Sequence, residues 1–267
     1  MRGELVDVVR EGPVARAVMH RGNNNSIAAD LMAELRSAFE ELGADPDCRV
    51  VVLQSAFDRY FSVGADLGAM GGMDRSAADA EDRIAAMMRE SSAGFGAIET
   101  CPRPVVARIN GHALGGGCEL TLCCDYRIMV EDGRSRIGQT ESALGIIPGA
   151  GGTQRLPRLI GRARALPLLY ESTRLSAAEA EAIGLVNRAV QPDELDRAVD
   201  ELAAKLARSA TLAIALIKDA VNRGLELPLE EGLAVEGRNF ARSALSEDAV
   251  TGIVAFFGKT EPEFKGR

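Results

Sequence analysis

The sequence is poor in histidine: only His20 and His112 are present, and no Ser/His/Asp pattern of a hydrolytic triad accompanies them. Its five cysteines, Cys48, Cys101, Cys118, Cys123 and Cys124, are odd in number, lie mostly among apolar residues and lack zinc spacing. They read as reduced, buried thiols of a cytoplasmic protein. Basic residues are too few for a global nucleic-acid footprint: 31 Lys and Arg face 39 Asp and Glu, for a net charge of −8. A local basic patch for a phosphorylated cofactor is compatible with that balance. No apolar run is long enough to span a membrane. Met1-Arg2-Gly3-Glu4-Leu5-Val6-Asp7 lacks the apolar core of a signal peptide, so no secretory leader is expected. There is no low-complexity tract, clear linker or strict internal repeat. What is left is the composition of an ordinary globular protein, and 267 residues suffice for one large domain or a core with a helical appendage.

Periodicity outlines the elements. Residues 4–9 and 14–19 alternate and read as a hairpin about Glu11-Gly12-Pro13. Residues 21–26 are loop. Leu31, Leu35, Phe39 and Leu42 recur at helical spacing, with Gly43 as a natural stop. Asp45-Pro46-Asp47 turns the chain into a buried strand, Val50-Val51-Val52-Leu53. Residues 56–67 read as loop, and the glycine-rich residues 68–73 are expected to be mobile. A helix is expected over 76–98, with Ser76 and Asp79 at its start and Ile84, Met87, Met88, Phe95 and Ile98 on its apolar side. Pro102 and Pro104 end it. Residues 104–109 read as a strand, 119–124 as helical, 126–130 as a further strand and 131–136 as a charged turn. Thr153-Gln154-Arg155 opens a helix, and from there the chain reads helical. Ser176 with Glu179 forms a capping box, and Gly184-Leu185-Val186-Asn187 ends that helix in a short connection. Pro192-Asp193 opens a long helix through Leu195, Val199, Leu202 and Leu206; residues 211–258 read as two more, broken near 224–228. The order is that of an α/β core built of strand–strand–helix units, then a helical tail.

One stretch organises this reading: Ile109-Asn110-Gly111-His112-Ala113-Leu114-Gly115-Gly116-Gly117-Cys118-Glu119-Leu120. Three glycines join a buried strand to a helix. Glycine allows positive φ and lets a ligand approach the backbone. The first helical turn offers unpaired N–H groups and the positive end of the helix dipole, a site for a developing negative oxygen. Glu119 lies about one turn further in and can face the same space. Taken alone, the glycines can also serve only to pack a helix on a sheet. The spacing is a poor match to a dinucleotide fingerprint, so no nicotinamide cofactor is expected, and no ligand cluster suggests a metal.

The stretch resembles the glycine-rich segment of the crotonase family, the enoyl-CoA hydratases and isomerases. Phe61-Ser62-Val63-Gly64-Ala65-Asp66-Leu67 is similar to that family's first oxyanion segment. Gly138-Gln139-Thr140-Glu141, followed by Gly145-Ile146-Ile147-Pro148-Gly149-Ala150-Gly151-Gly152-Thr153-Gln154-Arg155-Leu156, is similar to its second acid segment. The three motifs occur in the family's order, and the likeness runs from about residue 5 onward. Two departures stand out: the 131–136 turn is about two residues longer than the family pattern, and Thr140 stands where many relatives carry proline.

The resemblance implies a crotonase-like spiral over residues 1–190 carrying an acyl-CoA site, and a C-terminal helical region, 191–267, that assembles homotrimers or homohexamers. It assigns the oxyanion hole to the N–H groups of Ala65 and Gly116, water activation to Glu119 and the Cα proton to Glu141. Ala65, Asp66, Leu67, Gly115, Gly116 and Gly149 would line the substrate, and Phe240 and Lys259 would hold coenzyme A across a subunit contact. Arg21 can approach a phosphate, and the stretch 70–88 is expected to set the width of the acyl pocket. Coenzyme A belongs to the substrate, so no separate cofactor is implied; nucleic acid and membrane are not expected partners. Two close carboxyls suit hydration, because repulsion keeps one protonated. Relatives that only move a double bond usually need one. The alternatives are a double-bond isomerase, another crotonase-type acyl-CoA reaction, or a catalytically silent binding protein; retention of both glutamates favours the hydratase. His112 reads as a structural loop histidine.

Overall fold

The computed structural model describes residues 3–68 and 76–267. The chain opens with a hairpin, β1 (Val6–Glu11) and β2 (Val14–Met19), as its alternation predicts. Helix α1 (Ala29–Ala44) buries Leu31, Leu35, Phe39 and Leu42. It runs through Gly43 and ends only at Asp45, whose extended backbone before Pro46 cannot continue a helix.

Three units then repeat one course. β3 (Val50–Ser55) is followed by β4 (Tyr60–Ser62) and α2 (Ala80–Glu99). β5 (Val105–Ile109) is followed by β6 (His112–Leu114) and α3 (Gly116–Leu122). β7 (Tyr126–Val130) is followed by β8 (Ile137–Gly138), a 3-10 turn (Glu141–Leu144) and α4 (Gly152–Ile160). The first strand of each unit joins a six-stranded sheet, the second a three-stranded parallel sheet of order β4-β6-β8. β9 (Arg188–Val190) completes the large sheet, whose order is β1-β2-β3-β5-β7-β9; every pairing in it except β1–β2 is parallel. Each crossover advances by one strand, so the units form a spiral.

Alternate residues explain why the central strands read as unbroken apolar runs. Val51, Leu53, Val105, Ala107 and Met129 face the larger core with α1. Val50, Val52, Val106, Ile128 and Val190 face a second core closed by Leu195 and Val199 of α7 (Leu195–Arg208). A parallel sheet covered on both faces needs apolar residues at every position. Between α4 and α7 lie α5 (Arg162–Glu171) and α6 (Ala177–Ala182); the latter carries the expected Ser176–Glu179 capping box.

Several expectations are corrected. Residues 56–67 are not all loop: β4 lies there, too short to show alternation. The same holds for β6 and β9, three residues each, which gain their hydrogen bonds from neighbours distant in sequence. α2 begins at Ala80 rather than Ser76, with no side chain capping it. The tail after residue 210 has three helices rather than two: α8 (Thr211–Gly224), α9 (Leu229–Ala244) and α10 (Glu247–Gly258). The last break is made by Ser246, whose hydroxyl accepts from the Ala249 N–H and starts α10. Apart from Gly68, the expected mobile stretch 68–73 lies outside the described residues, and with it Met70 and Met73 of the expected pocket wall.

Candidate active site

Each of the three glycines admits a different neighbour. Gly115 has φ +53°, and a Cβ on it would stand 2.8 Å from Glu141 Oε1. A Cβ on Gly116 would lie 3.0 Å from the Ile27 side chain and 3.6 Å from the Ala65 nitrogen. On Gly117 it would meet the Ser62 carbonyl oxygen at 2.3 Å. The packing role and the ligand-approach role of the glycines therefore coexist. Gly64, at φ +92°, faces back: its Cβ position is 2.7 Å from Leu114 O and 3.0 Å from Gly116 N. The backbones at 64–65 and 115–116 thus lie against each other.

Among the described residues, two N–H groups have no hydrogen-bond partner at that contact. Ile27 bridges Ala65 in parallel: the Ile27 N–H donates to Gly64 O and the Asp66 N–H donates to Ile27 O, both at 2.8 Å. That pattern uses Gly64 and Asp66 and turns the N–H of Ala65 to the opposite side. Gly116 is the first residue of α3, which has no side-chain cap, so its N–H lacks an intrahelical partner.

Glu119 follows one helical turn later and is 2 % exposed. Its Oε1 accepts two backbone hydrogen bonds, from Ala150 N (2.8 Å) and Gly152 N (2.7 Å). Burial pushes its carboxyl up to about 7; the Gly152 and Ala150 N–H groups and the Arg155 charge oppose that rise, and the Glu141 charge adds to it. Glu141 begins the 3-10 turn against Gly115, and its carboxyl is also raised, first by burial. Gln139 is buried beside it; with its amide nitrogen facing Glu141, that nitrogen lies 3.2 and 3.3 Å from the two carboxylate oxygens. Two carboxyls raised above their ordinary value, Glu119 to about 7, therefore stand at the segment that carries these N–H groups.

The other candidates are placed as follows. A Cβ on Gly149 would stand 2.8 Å from the Met88 sulfur, so α2 meets the site there. Leu67 is half exposed beside Ala65. Asp66 pairs with Arg21 at 3.0 Å, and Arg21 also pairs with Asp30 at 2.9 Å, so the arginine expected near a phosphate is held by two carboxylates. Phe240 lies exposed on α9, and Lys259 caps α10. Among the described residues no contact joins either to the glutamates. His112 accepts from the Arg136 N–H through Nδ1 at 3.1 Å and packs on Tyr60, as a structural histidine would. Sequence reading missed Gln139, although it stands two residues before Glu141. It also missed the Ala150 and Gly152 N–H groups, which no side chain announces, and the Arg155–Glu99 pair that holds their turn.

The family profile for enoyl-CoA hydratase/isomerase matches residues 10–267. The crotonyl-CoA hydratase of Syntrophomonas wolfei is 37 % identical over 240 residues, covering 90 % of this chain and 89 % of that protein. The short-chain-enoyl-CoA hydratase of Clostridium acetobutylicum is 37 % identical over 268 residues, covering 99 % and 100 %. A crystal structure of an enoyl-CoA hydratase from Geobacillus kaustophilus superposes with a TM-score of 0.93 at 34 % identity, covering 100 % of this chain and 98 % of that one.

Proposed function

This chain belongs to the enoyl-CoA hydratase/isomerase family of the crotonase superfamily, and we propose that it catalyses the reversible addition of water to a trans-2-enoyl-CoA, giving a 3-hydroxyacyl-CoA. It is an enzyme of the enoyl-CoA hydratase type. The observation that carries the reaction is a pair of neighbouring carboxyls, Glu119 and Glu141, at the glycine segment whose Gly116 backbone meets that of Ala65.

In this reading the thioester oxygen sits on the Ala65 and Gly116 N–H groups, which strengthen their hold as it becomes enolate-like. Glu119, as the carboxylate, takes a proton from water while the hydroxide adds to Cβ. Glu141, as the acid, gives its proton to Cα. The two N–H bonds at Glu119 oppose the protonation that its burial favours, and main-chain N–H groups act on Glu141 in the same sense, so the division of labour between the two follows the family resemblance. Asp66, Leu67, Gly115 and Gly149 line the acyl-CoA, and coenzyme A enters only as part of the substrate. Residues 1–190 are read as the core carrying the site and 191–267 as the assembling region. Phe240 and Lys259 then serve coenzyme A in a neighbouring subunit of a homotrimer or a homohexamer. Exposed Phe256, Phe257 and Val254 on α10 support assembly, because so apolar a face is rarely left to water. A cytoplasmic enzyme of fatty acid β-oxidation fits five unpaired buried thiols; among the described residues no helix is long and apolar enough to cross a membrane.

The test is loss of conjugated-thioester absorbance. Glu119→Gln and Glu141→Gln are each expected to slow hydration by ~10²–10⁴-fold. Calorimetry with acetoacetyl-CoA should show that Glu119→Gln retains thioester binding, and Glu141→Gln should also lose Cα proton exchange in deuterated water. A wild-type enzyme that isomerises 3-enoyl thioesters well but hydrates only at background would overturn the reading.

A further inference from the structure

One ion pair beside the site is used by none of these steps. Arg155 stands in the first turn of α4. Its Nε and Nη2 donate to the two oxygens of Glu99 at 2.9 and 2.6 Å, a forked contact that an ammonium cannot reproduce. Its Nη1 donates to the Ala150 carbonyl at 2.9 Å. Gly151, at φ +108°, leaves room for it: a Cβ there would lie 2.0 Å from Nη1. The guanidinium therefore rests on one side of the 150–152 turn, and the other side supplies the two N–H groups to Glu119. Glu99 is the last residue of α2, the helix whose Met88 meets Gly149. A single pair thus joins α2, the turn and the carboxylate.

We infer that Arg155, aligned by Glu99, is a positioning residue for this reaction: it fixes the turn so that both N–H groups meet Glu119, and it places a positive charge behind that carboxylate. The inference rests on the assignment of Glu119 to the water. The groups facing Glu119 are Glu141 from the 3-10 turn, Arg155 from α4 with Glu99 beyond it, and the buried thiols of Cys118 on α3 itself and of Cys123 at its C-terminal cap. Burial pushes both thiols far up, so they stay neutral. Among these groups, the Arg155 charge favours the ionised base. Its removal should therefore raise the pH at which Glu119 becomes available.

The experiment compares Arg155→Met, Arg155→Lys and Glu99→Gln in the full-length enzyme with crotonyl-CoA. Arg155→Met is expected to lower kcat ~10–10²-fold with KM within about threefold. It should also move the acid limb of kcat/KM upward by ~0.5–1 pH unit. Arg155→Lys keeps the charge, so the limb should stay in place and part of kcat return. A purely structural role predicts equal losses for both variants and no movement of the limb; that result overturns the inference, as does wild-type kcat in Arg155→Met. If Arg155→Met does not fold, Glu99→Gln decides: kcat should fall ~3–10-fold at constant KM, because Arg155 is no longer aligned, and an unchanged kcat overturns the inference. Infrared titration of the Glu119 carboxyl, assigned with Glu119→Gln, reads the same shift without turnover. It keeps this test separate from the hydratase assignment, which fails if the wild type does not hydrate.

Discussion

Glu119 is stabilised for its task at a cost to the fold. An unfolded chain releases this proton near 4.5; the folded protein holds it to about 7, because burial penalises the charge. Stability from this group is therefore complete below pH 4.5 and falls as pH rises through 7. That difference amounts to a cost on the order of 3 kcal/mol above pH 8. Glu119→Gln does not titrate and can still accept the Ala150 and Gly152 N–H groups. Relative to wild type, the variant is expected to gain thermal stability between pH 5 and pH 8.5. Unfolding temperatures at the two pH values check this; a constant offset would contradict it.

At the scale of elements, the seat of α3 on β4 decides where the N–H of Gly116 points. Replacing a helical glycine by alanine usually gains up to ~1 kcal/mol. At Gly117 the new Cβ would meet the Ser62 carbonyl oxygen at 2.3 Å, a backbone atom that cannot swing aside as a side chain can. Overpacking of this kind costs ~1–3 kcal/mol, so the sign reverses. Gly117→Ala is expected to lower the unfolding temperature and, under the proposed mechanism, to reduce kcat by shifting the Gly116 N–H against that of Ala65. A variant as stable and active as wild type would show that α3 has slack the contact denies. Legibility also divides at this scale. The hairpin and α1 stood out through period-2 and period-3.6 patterns, and β3, β5 and β7 as largely apolar runs bounded by turns. β4, β6, β8 and β9 are too short for a pattern and exist because the spiral brings partners alongside.

For the whole molecule, the exposed apolar residues are concentrated in residues 211–258, the tail of α8, α9 and α10 and their connections, including Leu245, Val254, Phe256 and Phe257. Burying such side chains is worth ~1.5–3 kcal/mol each. Light scattering at micromolar concentration is expected to give three chains of 28.3 kDa, about 85 kDa, or twice that. Phe256→Asp with Phe257→Asp should shift the mass toward the monomer and weaken acyl-CoA binding if Phe240 and Lys259 act across the contact. A wild-type monomer that binds acyl-CoA fully would refute both.

The sequence by itself determined the family likeness, the two glutamates and the glycine segments, since all are local strings whose chemistry depends on residue type. It also carried the α/β order, through periodicity that survives in any long element. Only the tertiary structure decided that Ala65 presents its N–H beside Gly116, because this depends on the Ile27 bridge from a distant loop. The same holds for the hold on Glu119: two main-chain donors from 31 and 33 residues away, in a turn fixed by Arg155 and Glu99. Backbone donors look alike at every position in a sequence, and folding alone selects the few that face a carboxylate.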